Sequence, residues 1–470
     1  MSKKLLIPLA IVLVILAGLM MWAGCKKPVQ IPQDKLTPKT LSFWGVWDDT
    51  EDFQAILNEH RAQFSNVNIE YTKLKPEEYE QALLEAWAVG EGPDIFMVHN
   101  SWMREYQKYL APMPQQIQMA KFNVSKNLFG KEETQISLQD ISFPEVNNLQ
   151  NIFVDVVADD AIISGQVYGL PLSVDTLALY YNKDLLNNEG IFLPPTVWDD
   201  FANEMVPELT KQDELGNIIQ SGAALGTSDN IDRSIDILSL LMLQNGTVMI
   251  NEANSQVEFA KETRDYNPGL SALQFYTDFA SPAKEAYSWN EDMSSALETF
   301  VQGQLAFMFS YSYQIDTIEQ RGTRLNYAIA PMLHINPDGT DRNPYSTGRA
   351  AINYANYWLL GAYKESDYQE EAWNFIRLAT TENQQASQYL EKTGKPAALL
   401  SILNLQQDDP VLGVFARQAL SAKSWYTGYD ATAMEDYFKE MIDNTVSGDF
   451  TAKEALETAA DQVEKTLRAK

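Results

Sequence analysis

A lone acid, Asp175, interrupts the apolar passage from Val174 to Tyr181, and a carboxylate so placed must find hydrogen-bond donors in the protein or on a ligand. Two further clusters set short polar groups beside rings: Trp47-Asp48-Asp49 and His99-Asn100-Ser101-Trp102. Tyr287-Ser288-Trp289-Asn290 and Lys423-Ser424-Trp425-Tyr426 repeat that pairing farther along. Asp, Asn and Ser side chains make directional hydrogen bonds, and flat rings cover apolar faces. That is the chemistry of holding a polar solute. For bond breaking, the chain offers no Gly-x-Ser-x-Gly elbow, no phosphate-binding loop and no His-Glu-x-x-His. Its histidines, His60, His99 and His334, lack metal-ligand spacing, so neither a metal nor a cofactor is expected.

The elements that position these groups alternate. A strand from Leu41 to Val46, a helix after Thr50-Glu51-Asp52, a strand through Val67, Ile69 and Tyr71, and a helix from Pro76 to about Gly90 lead to a buried strand, Asp94 to Val98. Such alternation predicts an α/β fold with a parallel or mixed sheet, whose ligands meet the loops at the carboxyl ends of strands. The 47–49 and 99–102 clusters are both loops of that kind. Asn230 is expected to cap an apolar helix through Met242 that stops at Asn245-Gly246. Pro171 argues against a central strand and suits an extended connector. At 470 residues the chain is too long for one core, and two lobes imply a cleft.

Apolar residues make up 45% of the chain and charged residues 21%, which describes an ordinary globular protein. The net charge of −29 excludes nucleic acid as a natural partner, because the phosphate backbone needs clustered Lys and Arg. At the start, Lys3 and Lys4 precede an uncharged stretch, Leu5 to Gly24, and then Cys25, the only cysteine. This is the layout of a secretory signal, with Cys25 placed as a lipidation site as in a bacterial lipobox; an uncleaved membrane helix is the alternative. Trp22 stands where that pattern usually has Leu, Val or Ile. Residues 1–24 thus read as signal peptide or membrane anchor, and 25–40 as a Pro-containing tether that leaves the bulk of the chain outside the cytoplasmic membrane.

Phe43-Trp44-Gly45-Val46-Trp47-Asp48, Gly92-Pro93-Asp94-Ile95-Phe96, Val167-Tyr168-Gly169-Leu170-Pro171 and Leu179-Tyr180-Tyr181-Asn182-Lys183-Asp184-Leu185 stand in a telling order. Trp198-Asp199-Asp200-Phe201, Phe300 to Met308 and Glu371 to Ile376 continue it. Together they resemble the family 1 extracellular solute-binding proteins, the sugar-binding components of bacterial ATP-driven importers, of the maltose-binding class. The resemblance implies a two-lobe periplasmic-binding-protein-like fold with three hinge crossings, near 171–176, 350–357 and 390–400. On that basis lobe I takes 41–172 and 353–395, and lobe II takes 173–352 and 396–470. Residues 115–151 have no counterpart and are expected to decorate lobe I.

What the resemblance implies for function is capture of a carbohydrate between the lobes and delivery to an ABC-type permease by a monomer without catalytic activity. Asp48, Asn100 and Asp175 would take hydroxyls, with Trp47, Trp289, Trp358 and Trp425 as stacking rings and His99 and Tyr426 as further contacts. The loop after the 305–309 strand usually supplies an aromatic in this family, a part open to Tyr311 or Tyr313. Three rival readings remain: a surface receptor for signalling, an exported carbohydrate-active enzyme, and a polyamine in place of a sugar.

Overall fold

The computed structural model describes residues 31–126, 132–262, 266–335 and 351–469, so Cys25 and the segment before it lie outside the described residues. The strands that organise the chain are β1 (Lys39–Gly45), β2 (Val67–Lys73), β3 (Ile95–His99), β4 (Gln116–Lys126), β5 (Glu132–Ser142), β6 (Leu170–Pro171), β7 (Asp175–Thr176) and β8 (Ala178–Asn182). They continue with β9 (Lys211–Gln212), β10 (Ile218–Ala223), β11 (Leu305–Ser310), β12 (Tyr327–Ala330), β13 (Asn353–Asn356), β14 (Trp358–Ala362) and β15 (Ala422–Lys423). Two five-stranded sheets result, ordered β2-β1-β3-β14-β6 and β9-β10-β11-β8-β12. Each has its own buried core.

In the first sheet β1 pairs in parallel with β2 and β3, so the chain emerges from β1 and β3 at the same edge. The helix Pro76–Val89 starts at its proline and stops against Gly90, whose φ of 76° is the left-handed geometry a glycine tolerates. Pro171 sits on β6, the outermost strand of its sheet, where the missing N–H costs no ladder bond. Among the described residues of 115–151, β4 and β5 form a long antiparallel hairpin from Gln116↔Ser142 outward. Ile117, Met119, Ile141 and Phe143 root it in the first core, and the Phe143 ring meets Trp373 edge-on at 6.3 Å.

A third sheet, β15-β13-β7, joins the lobes. Val174 belongs to the first core and Leu177 to the second; Tyr354 belongs to the second and Ala355 to the first. Two crossings therefore run side by side, with Asn356 paired to Asp175 in the hinge ladder. The third comes later than residues 390–400. Ala397, Ala398 and Leu399 are buried in the first core, because Ala398 donates to Leu172 O (3.1 Å) and Val174 donates to Pro396 O (3.2 Å), which holds this segment beside the first crossing. Side chains of the second core reappear only at Val414 and Phe415. Among the described residues no helix is long and apolar enough to cross a membrane.

Buried in the first core, His60 lies between the rings of Phe64 (5.4 Å) and Phe375 (5.5 Å), and its Nε2 has no hydrogen-bond partner. Burial first, and then the charge of Arg377, lower its pKa to about 4. The unfolded chain binds this proton near pH 6.5, whereas the folded chain refuses it until about 4. Stability is therefore complete above 6.5 and is lost as the pH falls toward 4, by about 3 kcal/mol in full. His99 acts with the same sign. Urea unfolding at pH 7.5 and 4.5 should show a loss in the wild type that is smaller by roughly 2 kcal/mol in His60→Leu; equal losses in the two proteins would clear His60 of this role.

Candidate functional site

Asp236 is an acid inside the apolar helix Ser234–Gln244 and is almost wholly buried. Such a charge survives only if donors surround it. Arg233 supplies a bidentate fork, Nε to Oδ2 and Nη2 to Oδ1, both at 2.8 Å. Tyr311, one residue past β11, donates its hydroxyl at 2.7 Å, and Asn356 on the hinge strand β13 donates Nδ2 at 3.4 Å. Arg233 itself is held with a φ of 57°, a left-handed conformation that costs a non-glycine residue roughly 1–2 kcal/mol. Its Nη2 also reaches Glu435 on the helix Ala431–Ser447, at 3.3 Å.

From Asn356 the network continues into the first lobe. Its Oδ1 lies 3.3 Å from His99 Nε2, and His99 Nδ1 lies 2.7 Å from the Ser101 hydroxyl. An amide oxygen can only accept, so Nε2 carries the proton and Nδ1 accepts from Ser101. Burial and the nearby Arg233 charge lower the His99 pKa to about 4, so the ring is neutral at pH 7. These groups line a narrow gap between the lobes, with His99, Asn100 and Ser101 from one lobe and Arg233, Asp236, Ser239 and Glu435 from the other.

Asn100 is 6% exposed; its Nδ2 donates to Asp160 (3.2 Å) while its Oδ1 has no partner. Asp160 also accepts from Tyr357 Oη at 2.7 Å and from the Ser424 hydroxyl of the second lobe, and burial raises its pKa to about 6. Below the cleft, the Trp358 ring stands opposite His99 across β14 and β3 and packs edge-on to it and to Trp102, both at 5.3 Å. Trp102 touches both cores.

The remaining sequence-derived candidates are placed differently. Asp48 turns inward to pair with Lys395 and to accept from Tyr389 Oη at 2.7 Å. That inward turn throws the neighbouring Trp47 outward, 57% exposed with a φ of 67°, at the sheet edge where β3 delivers His99. Asp175 lies in the hinge, where its oxygens accept from Thr176 N (2.8 Å), Ser312 N (2.9 Å) and Ser312 Oγ (2.7 Å). Burial raises its pKa to about 7. Trp289 is fully buried, and its Nε1 donates to Asn230 Oδ1 at 2.9 Å. Asn230 is thereby engaged in tying down this loop, and the helix it was expected to cap starts after Arg233 instead.

Trp425 and Tyr426 point into the second core, bonded to Ser239 Oγ (3.0 Å) and Thr466 Oγ1 (2.8 Å). Tyr313 is half exposed, stacks on Tyr311 at 5.8 Å and donates to Asp232 at 2.7 Å. The cleft lining therefore includes His99 and Asn100 from the sequence candidates, with Tyr311 and Trp358 directly behind it. Arg233, Asp236, Asn356 and Glu435 were not among them. Asp236 carried the signal that drew attention to Asp175, an acid alone in an apolar run.

Comparison with known proteins places these features. Residues 54–411 match the family model described as bacterial extracellular solute-binding protein. A protein of Brucella abortus (strain 2308) named as a binding protein is 25% identical over 230 residues, 48% of this chain; the match spans about half, 49%, of that relative. The maltotriose-binding protein of Pyrococcus abyssi (strain GE5 / Orsay) is 20% identical over 79% of this chain and 69% of its own. Among solved structures, a cyclic alpha-maltosyl-1,6-maltose binding protein from Arthrobacter globiformis superposes with a TM-score of 0.70 at 19% identity, covering 92% of this chain and 99% of that one. The fold is thus the two-lobe fold of such binding proteins.

Removing the charge of Asp236 leaves Arg233 with only the long contact to Glu435. The guanidinium keeps some solvent, which tempers the cost, so Asp236→Asn should lower stability by about 2 kcal/mol in urea unfolding monitored by tryptophan fluorescence. A change below about 0.5 kcal/mol would mean that the network is held together elsewhere.

Proposed function

This chain belongs to the bacterial extracellular solute-binding protein family, and on that premise we propose that it captures an oligosaccharide between its lobes and delivers it to an ABC-type import permease. The observation that carries the reading is the polar relay Ser101–His99–Asn356–Asp236–Arg233, which runs from one lobe to the other along the cleft. A sugar brings hydroxyls that donate and accept, which suits a wall where Asn100 Oδ1 has no donor. It also brings C–H faces, which suit Trp47 at the mouth and the aromatic floor of Trp358 and Trp102. The names of relatives that bind maltotriose and a cyclic maltosyl-maltose support the same class.

The mechanism is binding without catalysis. Asp236 and Glu435, the carboxylates of the cleft, share one guanidinium on one wall, an arrangement that suits recognition better than attack from two sides of a glycosidic bond. Ligand contacts to both lobes favour the closed form by differential affinity, and the closed shape is what the permease reads. The protein acts outside the cytoplasmic membrane as a monomer, tethered through Cys25.

Thermal unfolding of the full chain against mono- and oligosaccharides, polyamines and amino acids tests this. A sugar at 100 times its Kd should add about 2.7 kcal/mol of stability, with no shortened product on chromatography. Shifts with polyamines alone, or turnover of the sugar, would overturn it. Trp47→Gly separates the roles of that ring: it should raise stability by about 1 kcal/mol by releasing the left-handed strain, and weaken sugar binding about tenfold.

A further inference from the structure

The charges on the cleft walls narrow the class of sugar. Among the described residues that line the cleft, Arg233 is the only cation, and His99 is neutral. Asp236 takes both N–H groups of its fork at 2.8 Å, and Glu435 has only the 3.3 Å contact to the same guanidinium. Two carboxylates thus share the one cation of the lining, and the charge of Lys439, one turn along the Glu435 helix, reaches Glu435 only through space. Burial pushes the Glu435 carboxyl upward, against the lowering charges of Arg233 and Lys439. Independently, Asn100, 6% exposed and lining the same cleft, has an amide oxygen with no donor, and its orientation is fixed because its Nδ2 serves Asp160. The same gap is thus lined by a carboxylate with one long hydrogen bond and by a residue whose buried acceptor has none.

We propose that the cleft selects glycosides carrying a protonated amino group, with Glu435 neutralising the charge and Asn100 Oδ1 accepting one of the ammonium N–H groups. An ammonium brings three donors and a positive charge at once. A hydroxyl brings one donor and no charge, and a uronate would face two carboxylates whose only cation is already engaged. The proposal rests on the carbohydrate reading of this cleft and specifies it.

Titration calorimetry at pH 6 on the full chain tests it, using disaccharides matched in linkage to whichever sugar series stabilises the protein: the neutral sugar, its 2-amino-2-deoxy form and a uronate form. The amino form should bind at least tenfold tighter than the neutral one, with the uronate form weakest. Glu435→Gln should abolish that preference, the amino and neutral forms then binding the variant within threefold of one another. Neutral or uronate forms binding as tightly as the amino form to the wild type would overturn the proposal and leave the carbohydrate reading standing. That comparison decides the matter even if the variant does not fold. A chain that no sugar series stabilises fails the carbohydrate reading itself.

Discussion

The burial of one carboxylate, Asp236, constrains everything around the cleft. Because a buried anion must be satisfied, Arg233 is forced into a left-handed turn, Tyr311 is drawn in from the end of β11, and Asn356 is held on the hinge strand. These donors come from three elements, so the acid fixes the start of its helix, the end of the second sheet and the crossing between lobes relative to one another. Arg233 and Tyr311 both belong to the second lobe. Should the lobes part, those two bonds stay while the link through Asn356 to His99 breaks. Half of the cleft is thus prebuilt, and the other half arrives with closure.

The other conspicuous acids serve position rather than recognition. Asp48 binds Lys395 and Tyr389, and in doing so fixes the turn that exposes Trp47. Asp175 is consumed by Ser312, and Asp160 joins Asn100 and Tyr357 of one lobe to Ser424, just past hinge strand β15, of the other. A carboxylate accepts several hydrogen bonds but donates none when ionised, which makes it an efficient node where several donors must converge.

The fold was legible because it rests on local rules that repeat: Pro76 opening a helix, Gly90 closing it, Pro171 relegated to a sheet edge. The two crossings marked by Asp175 and Asn356 could be read as well. The third could not, since Ala397 to Leu399 look like any apolar linker and only their pairing with residues 172–174 keeps them in the first lobe. The site was less legible. Trp289 and Trp425 have the same ring-plus-polar neighbours as Trp47, and nothing local says that their Nε1 groups find Asn230 and Ser239 in the interior. Glu435 lies in a helix rich in acids and gives no sign of itself before Arg233, some 200 positions earlier in the chain, is brought beside it.

Distances along the lobe junction indicate how closure is set. Beside the hinge the bonds are tight, with Asp175 to Ser312 at 2.7 and 2.9 Å and Lys423 to Asp159 at 3.0 Å. Two others are longer, Asn356 to Asp236 at 3.4 Å and the Ala431 N–H to Glu105 at 3.3 Å. Net hydrogen bonds of ordinary length are worth about 0.5–1.5 kcal/mol each, and long ones less. The cross-lobe bonds from Asn356 to Asp236, from Ala431 to Glu105 and from the Ser424 hydroxyl to Asp160 thus add about a few kcal/mol in all to the closed form. An equilibrium balanced in this way is one that a ligand touching both walls can tip, because the bonds it adds exist only when both walls are near.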